Sequence, residues 1–407
     1  MDKVVRPLVE DLTRQHFRQL DGLRGIAILM VIACHFDLLY QPVDGGKGLV
    51  SKFAQAGWMG VDLFFVLSGF LITGILLATR DSPHYFRNFL ARRFLRIWPL
   101  YYANLVLFFL VLPHVLPDLP RDFQSMLDKQ AWFWLYGANW LFAQEGGFRQ
   151  TGGGYFWSLA VEEQFYLLWP LAVYWLSSRS LLRLSIGLLC ASLGLRLFLE
   201  ANGVSVQSLY TITFTHLDGL AVGAILAIGL RSQKGTQQLL RILPYCCGIS
   251  MVVLGIARWQ DGAFYYWSRY TVLYGYTAIA VLAGCLLLWS LRLSQQAGLN
   301  RLLACAPLAA VGRVSYALYL IHAPLAAFLK SGLMPALAKY LPAWSYGARY
   351  CVVIVVVLSV SWLLAIASWH FFEKPILALK GRFSYDQSVP APAAVGLKMA
   401  EDRRESG

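Results

Sequence analysis

Ten runs of about 20 mostly apolar residues dominate the sequence, each long enough to cross the roughly 30 Å hydrocarbon core of a bilayer as a helix. They lie near 20–40, 58–79, 97–117, 155–176, 182–200, 210–230, 242–258, 270–291, 308–329 and 350–372. Backbone groups inside lipid must pair within the protein, so runs of this length imply helices rather than open sheet. The predicted fold is therefore all-α: a polytopic membrane bundle with about ten transmembrane helices. Composition agrees, with 58% hydrophobic and 14% charged residues, against roughly 25% charged in a soluble domain. An eleventh stretch, 132–142, is apolar but about half the required length, and is predicted to be half-spanning or interfacial.

The net charge of +13 would suggest nucleic acid in a soluble protein, but its distribution gives another reading. Basic residues collect in alternate connections, as cytoplasmic loops require. Arg18 precedes the first run; Arg80, Arg87, Arg92, Arg93 and Arg96 follow the second; Arg179 and Arg183, Lys234 and Arg241, and Arg292 and Arg301 follow later ones. Ten spans place both termini in the cytoplasm and leave no need for a nucleic-acid partner. The chain divides into a cytoplasmic N-terminal segment (1–19), a membrane domain (20–376) and a tail (377–407) that lacks apolar periodicity and is predicted to be disordered. Cys34, Cys190, Cys246, Cys247, Cys285, Cys305 and Cys351 show neither a disulfide framework nor a metal-ligand spacing. The run Gly152–Gly154 reads as a flexible loop entering the fourth span.

Ionisable residues inside spans are costly and face a bundle interior or an aqueous cavity. Arg24 and His35 are 11 residues apart on the first run, within about 20° of the same helix face and about 16 Å apart along it. Arg24 lies near the cytoplasmic end and His35 near the outer end. The same helical rise puts Asp62, Glu162, His216, Asp218 and His322 roughly 6 to 12 Å below the outer boundary. At the inner end, Arg24 and the run around Arg92, Arg93 and Arg96 supply guanidinium groups suited to phosphate, although positive-inside selection alone also places arginines there. A membrane histidine can equally be a helix-to-helix hydrogen-bond partner, and Glu162 can simply neutralise a cation.

These residues fall in ordered blocks. The segment LDGLRGIA from Leu20 running on to His35, GVDLFFVLSGFLIT from Gly60, RRFLRIWPLYY from Arg92, WSLAVEEQFYLLWP from Trp157 and VGRVSYALYLIHAPL from Val311 together resemble the membrane acyltransferase 3 family, closing with Phe372, Glu373, Lys374 and Pro375. The resemblance implies a polytopic enzyme of the bacterial inner membrane that takes an acyl group, commonly acetyl, from cytoplasmic acyl-CoA. The acceptor would be a hydroxyl of a carbohydrate such as exopolysaccharide, O-antigen or glycolipid. It carries the family's functional positions onto Arg24, His35, Arg93, Arg96 and Glu162, with no metal. The chain departs from the family before its Asp218-Gly219-Leu220 segment, where many relatives have an arginine and this sequence has Thr215 and His216. Some relatives add a hydrolase-like domain; the chain ends about 30 residues after its last span, so none is expected here, and polysaccharide-assembly proteins are possible partners.

Acyl transfer to a hydroxyl needs a base, because a sugar hydroxyl is un-ionised at neutral pH. His35 is the expected base, with Glu162 orienting the imidazole in a generalised triad. The expected supporting set is Asp62, Ser158, Asp218, Ser315, Tyr319 and His322, in which Ser158, Ser315 and Tyr319, along with Tyr166, are candidate oxyanion donors. Arg24, Arg93 and Arg96 are expected to bind the CoA phosphates. Trp132, Trp134, Trp140, Trp157 and Trp267 could stack on sugars or form interfacial belts. The rival reading is a proton-coupled transporter or flippase, which the sequence does not favour, lacking an obvious inverted repeat.

Overall fold

The computed structural model describes residues 17–40, 48–115, 121–148, 153–262, 264–292 and 298–385. Residues 1–16, Gly152 and the tail beyond 385 lie outside the described residues. Ten main helices form the frame: α1 (Arg18–Leu39), α2 (Gly60–Ala78), α3 (Tyr85–Val106), α4 (Phe156–Trp175), α5 (Ser178–Ala201), α6 (Asp218–Gly229), α7 (Gln233–Asp261), α8 (Tyr276–Arg292), α9 (Ser315–Tyr340) and α10 (Tyr346–Ser368). No strand occurs among the described residues. Several helices begin on a serine whose hydroxyl accepts from a backbone N–H one turn on: Ser177 for α5, Ser232 for α7 and Ser345 for α10.

Large apolar side chains such as Ile249, Val252, Leu363 and Phe371 point outward, as expected where the solvent is lipid. Among the described residues eight helical runs are long and apolar enough to cross a membrane, so the chain is a multi-pass membrane protein. The two remaining expected spans fall short for different reasons. α4 has the required 20 residues but carries Glu162, Glu163 and Gln164 at its centre, which lowers its hydropathy. The run 210–230, expected as one helix, is broken: a short helix Val206–Thr211 and a turn Thr213–Thr215 precede the 12-residue α6. Buried polar groups at the break, described below, supply the pairing that a continuous helix would otherwise provide.

Three further boundaries differ from expectation. α3 starts at Tyr85, so Arg92, Arg93 and Arg96 sit on a helix rather than in a loop. The basic first half of this helix continues into the spanning half across Pro99, which removes one backbone hydrogen bond without ending the helix. In the ninth region a separate short helix Ala306–Arg313 precedes α9. The first part of the tail, 377–385, is ordered rather than disordered: α10 runs on through Trp369–Glu373, Lys374–Ala378 and Leu379–Phe383 and packs on α3. The stretch 130–144 forms two short helices, Gln130–Trp134 and Ala138–Gln144, neither long enough to span.

The most closely packed pair is α2 with α6. A Cβ on Gly69 would lie 2.1 Å from the Leu220 carbonyl oxygen, and one on Gly223 2.2 Å from that of Val66. The two backbones can approach this closely only because both positions lack a side chain, as is common between membrane helices. α7 lies at the periphery and buries only Thr236, Ser250 and Ala257.

Candidate active site

A cavity between α1, α2, α3, α4 and α9 is lined by Arg24, Arg93, Arg96 and Ser315 at the end where Gly312 packs on Asp21, and by Ser68, Ser158, Glu162, Tyr166 and Tyr319. Each lining side chain owes its place to helical spacing. Ser158, Glu162 and Tyr166 recur every four residues on α4, and Ser315 and Tyr319 do so on α9, so each set forms a stripe on one face. The consecutive polar residues of α4 project about 100° apart and find three different environments. Glu162 faces the cavity; Glu163 accepts from Trp98 Nε1 at 2.9 Å; the Gln164 amide donates to Tyr136 O and Asn139 Oδ1, each at 3.0 Å. Gln164 thereby ties the short-helix pair of 130–144 to α4.

Within the cavity, Tyr166 donates to Ser68 Oγ at 3.0 Å, and Ser68 donates to Glu162 Oε1 at 2.6 Å. This ladder links the arginine end, where the Arg93 guanidinium lies 6.0 Å from the Tyr166 ring, to the carboxylate. One turn further along α4, Ser158 Oγ and Tyr319 Oη are 2.6 Å apart, and Tyr319 also donates to Tyr155 O at 2.9 Å. Arg24 is 3.7 Å from Asp21, whereas no hydrogen bond or ion pair within the protein engages Arg93 or Arg96 among the described residues. Arg92 turns away from the cavity: its Nη1 reaches the carbonyls of Lys380 and Phe383 at 3.4 and 3.3 Å.

The expected pairing of Glu162 with His35 is not the one formed. His35 Nδ1 lies 2.7 Å from His322 Nε2, and Glu162 is engaged by Ser68. The contacts assign the tautomers. His322 Nδ1 is 2.7 Å from Leu318 O, one turn back on α9, and a carbonyl can only accept, so His322 Nδ1 carries a hydrogen. In the neutral ring His322 Nε2 then accepts, His35 Nδ1 donates, and His35 Nε2 keeps a free lone pair. His35 thus has an oriented partner, and that partner is His322 in place of Glu162. The pair adjoins the cavity wall through Tyr319, whose ring centroid is 6.1 Å from that of His322.

Asp62 and Asp218, expected in supporting roles, are not among the cavity-lining residues, and neither are His35 and His322. Asp62 Oδ1 meets His216 Nε2 at 3.2 Å. Asp218 Oδ2 meets Arg196 Nη1 at 3.0 Å and accepts from Thr277 Oγ1 at 3.0 Å. All four ionisable groups are buried. Arg196, which sequence reasoning passes over, also donates to Leu273 O at 3.2 Å, to Thr277 Oγ1 at 2.5 Å and to Thr215 O. It thus joins α5 to the break before α6, at the segment where many relatives carry an arginine in sequence. A guanidinium 22 positions upstream is invisible to motif comparison. Trp157 is also reassigned: buried against Phe65, Tyr210 and His216, it is neither a belt residue nor an open sugar platform.

These helices form a polytopic membrane bundle whose interior joins a cluster of arginines to a carboxylate and paired hydroxyls, with a histidine pair adjoining. Residues 17–366 match the acyltransferase domain family, and the chain belongs to the membrane acyltransferase 3 family. It is 32% identical over 388 residues to YrhL of Bacillus subtilis, a protein named as a putative peptidoglycan O-acetyltransferase, covering 89% of this chain and 55% of that one. It is 27% identical over 336 residues to the peptidoglycan O-acetyltransferase OatA of Listeria monocytogenes (77% and 50% covered) and 27% identical over 380 residues to the O-acetyltransferase OatA of Staphylococcus aureus (88% and 56% covered). The chain spans about half the length of the curated relatives it matches. No solved structure matches.

Proposed function

We propose that the chain is an integral membrane O-acyltransferase that moves an acetyl group from acetyl-CoA to a hydroxyl of a cell-envelope carbohydrate. The relatives' names support peptidoglycan or a related glycan as the acceptor class. The observation that carries the reading is the single cavity that holds unpaired guanidinium groups at one end and hydroxyls and a carboxylate further in. The arginine end is the cytoplasmic one by the distribution of basic loops, and Arg93 and Arg96 suit the phosphates of the donor, with Arg24 at the same mouth. In the transfer, the acceptor oxygen attacks the thioester carbonyl while its proton passes to His35 Nε2. The carbon–sulfur bond then breaks, and the proton leaves with the CoA sulfur. His322 accepts from His35 Nδ1 and holds the ring in the tautomer that leaves Nε2 bare. Ser158 and Tyr319 can donate to the carbonyl oxygen as it becomes negative by turning their hydrogens from Tyr319 Oη and Tyr155 O toward it.

The test uses purified full-length protein in lipid nanodiscs with acetyl-CoA labelled in the acetyl group and a peptidoglycan-type oligosaccharide acceptor. The expected result is label in the acceptor and free CoA thiol in equal amounts, with Arg93→Ala and Arg96→Ala each raising the donor KM. Transport of the glycan across a vesicle membrane without acyl transfer would overturn the enzyme reading in favour of a transporter.

A further inference from the structure

The ordered start of the C-terminal tail brings an additional cation to the arginine end. Past Ser368 the chain stays helical to Phe383 and lies along the basic half of α3. It is held there by several contacts. Arg92 reaches the carbonyls of Lys380 and Phe383, Asn88 Nδ2 donates to Ser384 O at 2.9 Å, and Ser82 Oγ donates to Tyr385 O at 3.2 Å. The Arg92 guanidinium also lies 5.4 Å from the Tyr385 ring centroid. This arrangement places half-buried Lys380 within electrostatic range of Arg24, Arg92, Arg93 and Arg96. No carboxylate pairs with Lys380 among the described residues.

Five converging cations repel one another, and the carboxylates near them do not balance the charge. Asp21 faces Arg24, Glu373 is within range of Arg96, and Glu162 is within range of Arg24 and Arg93. A packed extension that adds a further basic side chain to such a cluster raises this repulsion, and an anion bound among these groups relieves it. Lysine acts as a point charge toward phosphate, whereas arginine makes bidentate contacts, so the two residue types can share a polyphosphate.

We propose that Lys380 is a donor-binding residue that contacts a phosphate of the acyl donor together with Arg93 and Arg96, and that Arg92 is a positioning residue that presents it by anchoring the Lys380 and Phe383 carbonyls. This rests on the donor reading given under Proposed function and adds to it a ligand contributed by the C-terminal extension.

The experiment compares acetyl-CoA with S-acetylpantetheine, which has the same thioester and no phosphate, using the full chain in nanodiscs. The variants are Lys380→Met, which keeps the aliphatic stem, and the conservative Lys380→Arg. Loss of one charge-assisted contact is expected to raise the acetyl-CoA KM of Lys380→Met about 10-fold, with kcat within about twofold and no change toward S-acetylpantetheine. Lys380→Arg should stay near wild type. Arg92→Ala should reproduce the Lys380→Met pattern, and the double variant should be no worse than either single variant. An unchanged acetyl-CoA KM in Lys380→Met, with Arg93→Ala still raising it, would overturn the role of Lys380 and leave the donor reading standing. An equal loss with both donors would make Lys380 structural and overturn the proposal too. Wild-type protein that uses both donors equally well would overturn the donor reading itself.

Discussion

Replacing His322 tests the histidine pair most directly. In the structure the His322 ring nitrogens meet His35 and the backbone of α9: its Nε2 accepts from His35 Nδ1 at 2.7 Å, and its own Nδ1 is tied to Leu318 O at 2.7 Å. When His35 takes the acceptor proton, the same contact becomes a hydrogen bond to a charged donor, worth about 1.5–3 kcal/mol. At about 1.4 kcal/mol per tenfold in rate, His322→Ala should lower kcat by about 10- to 150-fold. The donor KM should be unchanged, because neither histidine is among the residues that line the cavity with Arg24, Arg93 and Arg96. His35→Ala should cost more, about 10²- to 10⁴-fold, the usual range for a general base. The double variant should be no slower than His35→Ala alone, since the second histidine acts only through the first. His322 is fully buried, so His322→Phe fills most of the volume while removing the acceptor atom; it should lose as much rate as His322→Ala. The assay is acetyl transfer in nanodiscs, with thermal unfolding of each variant to confirm a folded bundle. A His322→Ala variant within about threefold of wild-type kcat would refute the tautomer argument, as would losses that simply multiply in the double variant.

Three other predictions concern what holds the bundle together. Asp218→Asn leaves the buried Arg196 guanidinium without its carboxylate 3.0 Å away and should cost about 3–5 kcal/mol of stability, read as a lowered Tm in detergent. Arg196→Met with Asp218→Leu should recover at least half of that loss, and additive destabilisation would show that the pair is not coupled. Gly69→Val forces a side chain into space the Leu220 backbone already fills, its carbonyl oxygen lying 2.1 Å from where the Cβ would stand, so it should abolish monodisperse protein in size-exclusion chromatography. Gly187→Ala on α5, where a Cβ meets nothing within 4 Å, should be neutral or stabilising by about 0.5–1 kcal/mol.

Most of the frame is legible in the chain. Apolar runs of bilayer length announce a helical membrane bundle, and nearly every expected span has a helix at its centre. The errors fall where polar residues interrupt a run. The stretch 210–230 has the length of a span, but His216 and Asp218 find Asp62 and Arg196 from other helices, and those contacts stabilise a broken backbone that no periodicity signals. The residues of 377–385 look like the start of a loose tail because they lack an apolar stripe; Arg92 and Asn88 hold them through backbone carbonyls, which leave no mark on side-chain composition. The cavity is partly readable: Arg24, Arg93, Arg96, Glu162, Ser158, Ser315 and Tyr319 all stand out in the sequence, and all line it.

What the sequence determines by itself is depth and class. A fixed rise per residue places an ionisable group at a definite level in the membrane, and the ordered blocks identify the family. It cannot assign neighbours, because two groups at one level can face each other or lie on opposite sides of the bundle. His35 and Glu162 share a depth, which is why a pairing between them is the natural expectation. The tertiary packing instead sets His35 against His322, 287 positions away, and gives Glu162 to Ser68. Which groups meet depends on how the helices are rotated and ordered around the bundle, and only the packing of side chains between helices decides that.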